Sequence, residues 1–131
     1  MKRASEEKRD RVTQSFQVAI SDIGAVRVMS IEGYLDAHTA PSFESSIENE
    51  IRSGKIRLVV DCARLTYISS AGLGVFMSFL EEVREQGGDI KLAAITPKVF
   101  QVFDVLGFPK LFDITPAVKE AVEQFNRPRE S

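Results

Sequence analysis

The sequence predicts a single α/β domain, in which a mixed β-sheet is covered by about four helices. Two β-rich stretches, 12–20 and 25–31, flank the turn sequence Ser21-Asp22-Ile23-Gly24 and predict an antiparallel hairpin. Short apolar runs then alternate with segments of helical periodicity, which is the order that parallel strands and crossover helices produce. A chain of 131 residues is long enough for one domain to bury a stable core.

A loop at 32–40 and a first helix are predicted after the hairpin. Thr39 is a possible N-cap, and Pro41 suits the first helical turn, where a backbone N–H is not needed. Apolar residues then recur every four positions, which predicts one buried stripe on this helix. The stripe consists of Phe43, Ile47 and Ile51.

Residues 56–61 are a nearly continuous apolar run, which predicts a central strand buried on both faces. Cys62 follows this run and is interpreted as a small buried hydrophobic residue without a redox role. A loop is expected at 63–69, before a second helix that ends at Gly87-Gly88. The core stripe predicted for that helix consists of Leu73, Phe76, Met77, Leu80 and Val83.

The rest of the chain is predicted to be a strand, a helix, a strand and a helix. The first of these strands covers 89–94, and Pro97 opens the third helix, which Gly107 ends in a left-handed conformation. A brief last strand is expected at 111–114, and a fourth helix begins at Thr115. Its apolar side consists of Val118, Val122 and Phe125.

Composition and charge limit the range of partners. A net charge of −2 and an isoelectric point near 5.5 provide no basic field, so nucleic acid is not an expected partner. No run approaches the roughly 20 apolar residues of a transmembrane helix, and the first residues lack an apolar signal core, so a cytoplasmic protein without membrane association is expected. Residues 1–11 predict a mobile charged tail, 12–126 the domain, and 127–131 a polar end.

No assembled catalytic set is found in the sequence. His38 is the only histidine, so a Ser-His-Asp mechanism would require it to reach Ser70 with Asp36 behind it. The more ordinary interpretation of His38 is a solvated loop residue. One histidine and one cysteine cannot form a transition-metal cluster, and Gly72-Leu73-Gly74 lacks the third glycine of a dinucleotide site. Enzyme activity, a metal and a cofactor are therefore not expected.

The second helix is entered through Ser69-Ser70-Ala71-Gly72-Leu73-Gly74. Either serine can act as N-cap, but each glycine costs roughly 0.5–1 kcal/mol relative to alanine in a helix. Two explanations remain open: close packing of the helix on a strand, or close approach of another protein. Val75 is expected to point outward and Phe79 to flank the core stripe, and such an apolar patch favours a docking face.

Four segments together resemble the STAS family, whose members include anti-sigma factor antagonists and C-terminal domains of sulphate transporters. The resemblance covers roughly residues 16–125 and implies an N-terminal hairpin followed by parallel strands and covering helices. The four segments are Gly33-Tyr34-Leu35-Asp36, Leu58-Val59-Val60-Asp61, Tyr67-Ile68-Ser69-Ser70-Ala71-Gly72-Leu73-Gly74, and Val105-Leu106-Gly107-Phe108 ahead of Phe112.

In the antagonists of this family, the third segment resembles Asp-Ser-Ser/Thr-Gly-Leu-Gly, and a kinase phosphorylates the serine two places before the first glycine. By position that serine is Ser70, with Ser69 at the place of the acid and Ala71 at the place of the second hydroxyl residue. Ser69 is therefore a second choice as phosphate acceptor. Asp36 matches the loop aspartate near the phosphorylation site, although it can equally be a turn residue that caps its own backbone.

The resemblance implies a partner-switching cycle. The unphosphorylated protein binds an anti-sigma factor, often a serine kinase, and so releases a sigma factor; phosphorylation ends the binding, and a serine phosphatase restores it. The alternative is a non-switching STAS module of a transporter or sensory complex, and a monomer or weak dimer is expected. The partner-binding residues expected from the motif are Asp36, Ser69, Ala71, Gly72, Gly74, Val75 and Phe79.

Overall fold

The computed structural model describes residues 16–127. The charged tail expected at 1–11, the start of the first strand at 12–15, and residues 128–131 lie outside this range. Within it, five strands form one sheet in the order β1-β2-β3-β4-β5, with helices between them. This is the mixed α/β architecture that the sequence predicts.

The hairpin consists of β1 (Phe16–Ile23) and β2 (Val26–Leu35), paired antiparallel. The chain reverses at Gly24, whose φ of +61° lies in the left-handed region that glycine tolerates. The predicted turn at 21–24 was therefore placed too early. The strand persists through Ile23 because the pairing continues to the last possible partner, Ile23 with Val26.

β3 (Arg57–Ile68) lies in the centre of the sheet and is parallel to both β2 and β4 (Asp89–Ala93). The loop predicted at 63–69 was wrong over most of its length, and the loop predicted at 32–40 was wrong at 32–35, because the ends of β3 and β2 continue to pair there, as far as Leu35 with Ile68. Residues 36–39 do form a loop. Two register irregularities interrupt this pairing and hide the alternation of inward and outward residues. β5 (Ile114–Thr115) lies parallel to β4 at the edge.

Four helices cover the sheet: α1 (Ala40–Arg52), α2 (Ser70–Glu85), α3 (Pro97–Val105) and α4 (Val118–Asn126). Gly107, with a φ of +78°, follows α3 as predicted and leads into a single 3-10 turn at Phe108–Lys110. Of the strand predicted at 111–114, only Ile114 is in a strand, because residues 111–113 continue the irregular segment that follows this turn. The helix predicted from Thr115 begins later, and the Glu120 carboxylate accepts a hydrogen bond from the Ala117 backbone at its first turn.

The larger core lies on the sheet face that α1, α2 and α3 cover. Phe76 is at its centre, with four other aromatic rings at centroid distances of 5.1–6.3 Å, mostly edge to face. Cys62 is fully buried in this core, as predicted, and burial raises the pKa of its thiol. The four rings around Phe76 belong to Phe43, Phe103, Phe108 and Phe112.

A smaller core lies on the opposite face, where α4 packs on the strands through Ala121 and Val122. The stripe predicted for α1 is buried as expected. Among the helices formed by residues 16–127, none has the length and apolar character needed to cross a bilayer.

Candidate phosphoswitch site

The candidate site lies where the C-terminal ends of β2 and β3 meet the N-terminus of α2. The Ser69 N–H donates to the Leu35 carbonyl oxygen at 2.9 Å, so the last pairing of the two strands leads directly into the helix. The first intrahelical bond runs from the Leu73 N–H to the Ser69 carbonyl oxygen at 3.0 Å. The backbone N–H groups of residues 70–72 precede it and form no hydrogen bond within the described chain, as is usual for a first helical turn.

The two serines occupy different environments. Ser69 is the N-cap and has an extended backbone, but its hydroxyl oxygen is buried and finds no hydrogen-bond partner among the described residues. Ser70 is the first residue of α2 and is exposed to solvent. The two hydroxyls therefore differ in accessibility, although the residues are adjacent in sequence.

The two explanations left open by the sequence, close packing of the helix and close approach of another protein, apply to different glycines. Gly72 is buried, and a Cβ atom there would lie 2.7 Å from Leu35 Cγ and 2.9 Å from the Leu35 carbonyl oxygen. Gly72 thus allows α2 to pack closely on the end of β2. Gly74 is exposed, and a Cβ atom there would meet nothing within 4 Å, so its bare backbone lies open to an approaching molecule.

The predicted orientation of α2 needs correction at three positions. Val75 and Phe79 were expected outside the core stripe, but only 6% and 9% of these residues is exposed. Met77 was expected inside and is 44% exposed. Val75 and Phe79 belong to the larger hydrophobic core, so this side of α2 faces the packed interior.

The β2–α1 loop holds Asp36 next to this helix entrance. The Asp36 carboxylate accepts hydrogen bonds from the backbone N–H groups of His38 at 3.0 Å and Thr39 at 3.1 Å. The buried Thr39 hydroxyl donates to the Tyr34 carbonyl oxygen at 2.8 Å and accepts from the Asp36 N–H, instead of capping α1. The Asp36 carboxylate therefore stabilises its own turn, as the alternative interpretation expected, and its part in partner binding stays a prediction.

Sequence reasoning missed an aromatic pair beside the site. Tyr34 and Tyr67 are direct partners in the β2–β3 pairing, with ring centroids 5.8 Å apart. They are 55% and 47% exposed. The exposure of each tyrosine could have been predicted, since the buried neighbours Leu35 and Ile68 direct both tyrosines to the opposite face of their strands, but their contact could not.

The side chain of His38 has no part in an assembled triad. His38 is exposed, and its backbone N–H donates a hydrogen bond to the Asp36 carboxylate. Its imidazole forms no hydrogen bond with any residue between 16 and 127. The Asp36 oxygen that would orient an imidazole accepts backbone N–H groups instead. The arrangement can therefore present a hydroxyl to a partner but does not couple it to a general base.

A family model for the STAS domain matches residues 17–121, which is most of the chain. The match includes the hairpin, the parallel strands, the covering helices and the strand-to-helix junction at Ser69 and Ser70. The chain belongs to the STAS domain family.

Named relatives add detail to this family assignment. The chain is 28% identical over 109 residues to BtrV of Bordetella bronchiseptica, a candidate anti-sigma factor antagonist, covering 83% of this chain and 94% of that protein. It is 27% identical over 95 residues to the anti-sigma-B factor antagonist of Bacillus subtilis, covering 72% and 86%. The solved structure of phosphorylated Bacillus SpoIIAA matches with a TM-score of 0.64 at 22% identity, covering 84% and 98%.

Proposed function

We propose that this chain is an anti-sigma factor antagonist whose binding to its partner is ended by phosphorylation of Ser70. The observation that carries the proposal is the exposed Ser70 hydroxyl at the start of α2, beside the open backbone of Gly74. A protein kinase must bring its substrate hydroxyl to the γ-phosphate, so an exposed hydroxyl is a suitable acceptor. The buried oxygen of Ser69 is a poor one.

The docking face of the proposed antagonist consists of the exposed and half-exposed groups around Ser70. Gly74 supplies an accessible backbone, and Tyr34 and Tyr67 supply large rigid contact area of the kind enriched in protein interfaces. Asp36 and Ala71 complete its edge. Of the other residues predicted for partner binding, Ser69, Gly72, Val75 and Phe79 shape this face from beneath.

The proposed partners are an anti-sigma factor with serine kinase activity and a serine phosphatase, and the cycle is cytoplasmic. The named relatives support this assignment, because the Bacillus subtilis protein is an anti-sigma-B factor antagonist. The chain itself acts as a substrate and a binding protein in this scheme, not as an enzyme.

The test begins with recovery of the partner from the native cell, using the Ser70→Ala variant as bait. The recovered kinase is then incubated with ATP and wild type, Ser69→Ala, Ser70→Ala or the control Ser45→Ala, which removes an exposed serine from α1. We expect labelling of all proteins except Ser70→Ala, with the phosphate mapped to Ser70. A phosphate on Ser69, or full labelling of Ser70→Ala, contradicts the assignment. A partner that binds but never phosphorylates the chain indicates a non-switching module.

A further inference from the structure

A second candidate site lies at the end of the sheet where β3 and β4 begin, opposite to the end that carries Ser70. The parallel strands β3 and β4 begin there, and a groove of about 520 Å³ opens between their first residues, the end of α2 and the end of α4. This volume is within the range of small-molecule sites in proteins, roughly 300–1,000 Å³. The groove is lined by four cationic residues, Arg57, Arg84, Lys91 and Arg127.

The groove carries more positive than negative charge. Arg84 Nε donates to Asp89 at 2.8 Å, and Lys91 Nζ donates to Asp113 at 2.7 Å and to Asp89 at 3.3 Å. Four cations with two carboxylate partners leave a surplus of 4 − 2 = 2 positive charges. Arg57 and Arg127 form no ion pair with any residue between 16 and 127. The surplus is local, because the whole chain has a net charge of −2.

Lys91 is part of the packed structure rather than a solvated surface lysine. Only 7% of the residue is exposed, and its Nζ atom lies 4.7 Å from the centre of the Phe125 ring, close enough for a cation–π interaction. The carboxylates of Asp89 and Asp113 also bind this ammonium. Lys91 therefore forms a fixed wall of the groove, which needs little further ordering when a ligand binds beside it.

The Gly87-Gly88 turn keeps the mouth of the groove open. Gly87 has a φ of +93°, and a Cβ atom there would meet nothing within 4 Å. Both glycines line the groove. A Cβ atom on Gly88 would lie 2.0 Å from the Ile56 carbonyl oxygen, so only glycine allows the chain to pass this close to the start of β3. The turn therefore joins α2 to β4 without covering Arg57.

We propose that this groove binds a small phosphate-bearing anion. The planar guanidinium groups of Arg57 and Arg127 match the oxygen geometry of a phosphate and supply the two surplus charges. The charge of Lys91 is already balanced by its carboxylate partners. A ligand with at least two negative charges matches the surplus of the groove. The distance from Ser70 is large, since the eleven residue steps along β3 span about 36 Å at about 3.3 Å each.

The test is calorimetric titration of the full chain with inorganic pyrophosphate at physiological ionic strength. We expect saturable binding that weakens about tenfold in Arg57→Gln and in Arg127→Gln, because each removes a charged hydrogen-bond donor. The matched control is Arg64→Gln, which makes the same charge change near the other end of β3, where Arg64 faces Glu32 at 3.9 Å. The control should bind within about twofold of wild type, and thermal melts verify that all variants are folded.

Three results would overturn the proposal. They are the absence of saturable binding up to about 10 mM pyrophosphate, equal weakening by Arg64→Gln, and binding to vesicles containing phosphatidic acid without any response to pyrophosphate. The last result would identify a membrane headgroup in place of a free phosphate compound. All measurements use unphosphorylated protein and are repeated with Ser70→Ala, so failure of this proposal is distinguishable from failure of the phosphoswitch.

Discussion

At the scale of single residues, the two serines at the start of α2 differ in burial: the Ser69 hydroxyl is buried, whereas Ser70 is exposed. The Ser69 hydroxyl is buried without a hydrogen-bond partner among residues 16–127, so it contributes desolvation cost and no hydrogen bond there. We expect Ser69→Ala to leave the free energy of unfolding unchanged or to raise it by up to about 1 kcal/mol. Urea unfolding measures this, with Ser70→Ala as the exposed control. A loss of more than about 1 kcal/mol in Ser69→Ala would reveal a hydrogen bond that the structure does not show.

The glycine pair leads to a second prediction with opposite signs at two nearby positions. Gly72→Ala places a methyl group 2.7 Å from Leu35 Cγ and should destabilise the fold by about 1–3 kcal/mol through overpacking. Gly74→Ala meets no atom within 4 Å and should stabilise α2 by about 0.5–1 kcal/mol. Denaturant unfolding of the two variants, side by side, decides the matter. Equal destabilisation of both would show that Gly74 also serves packing.

Partner binding depends on Gly74 in a different way from folding. In Gly74→Val, a β-branched side chain stands in the open space beside Ser70, so binding to the recovered partner should weaken while unfolding changes by about 1 kcal/mol or less. Titration against the partner and a thermal melt separate the two effects. Loss of cooperative unfolding in this variant would place the role of Gly74 inside the domain.

At the scale of elements, an ion-pair cluster ties the hairpin to α1. Arg27 on β2 bonds to Asp22 on β1 and to Glu50 on α1. The hydrogen bond from Arg27 lowers the pKa of Asp22 below its ordinary value of 3.8. A lowered folded-state pKa stabilises the fold at pH values above 3.8, and this contribution is lost as the pH falls through the folded-state pKa.

Removal of the Asp22 carboxylate should therefore lower the stability of the fold only at pH values above the folded-state pKa of Asp22. We expect Asp22→Asn to melt at a lower temperature than wild type at neutral pH and to approach wild type as the pH falls below 3.8. The control is Asp104→Asn, which removes an exposed carboxylate from α3 that has no ion-pair partner in the described chain. A melting gap that is the same at every pH would show that the Asp22 side chain acts through packing or turn geometry instead.

The order and type of the elements could be predicted because proline and glycine residues mark where several helices begin and end. Pro41 and Pro97 lie in first helical turns, and Gly107 adopts the expected left-handed conformation. The end of β3 could not be predicted, since Arg64, Thr66 and Tyr67 are exposed on an uncovered part of the sheet and resemble a polar loop. Single-sequence periodicity describes one element, whereas the extent of β3 depends on its pairing with β2.

The candidate site could be located from its motif, but not its division into exposed and buried parts. The rotation of α2 depends on which of its sides α1 and the sheet enclose, and this is a tertiary property. Val75 and Met77 therefore exchanged their predicted environments. Tyr34 and Tyr67 contact each other only because their strands are neighbours, and no local pattern specifies that register.

At the scale of the whole molecule, the two ends of the parallel strands carry different chemical groups. The C-terminal ends of β2 and β3 present Ser70, Gly74 and the tyrosine pair, while the other ends of β3 and β4 present the basic groove. The aromatic cluster around Phe76 is buried within the domain and is contacted by neither set of exposed groups. A charge added at Ser70 should thus act on its immediate surface.

Phosphorylation of Ser70 is consequently predicted to end partner binding without unfolding the domain. A phosphoserine adds about −1.5 to −2 charges, and at Ser70 these face the free N–H groups and favourable dipole of α2. A partner surface that fits Gly74 and a neutral hydroxyl must instead desolvate the dianion, which costs several kcal/mol. At about 1.4 kcal/mol per decade, affinity should fall about a thousandfold, and Ser70→Asp should reproduce part of this loss.

The measurement is titration against the recovered partner together with a thermal melt, for wild type, phosphoprotein and Ser70→Asp. Ser45→Asp is the matched control, because it adds the same charge at an exposed position on α1 and should leave binding unchanged. A phosphoprotein that binds as tightly as wild type would refute the switch. A phosphoprotein that melts far below wild type would instead place the mechanism in the fold, because the charge would then disturb the packing of α2 on Leu35 in addition to the surface that the partner contacts.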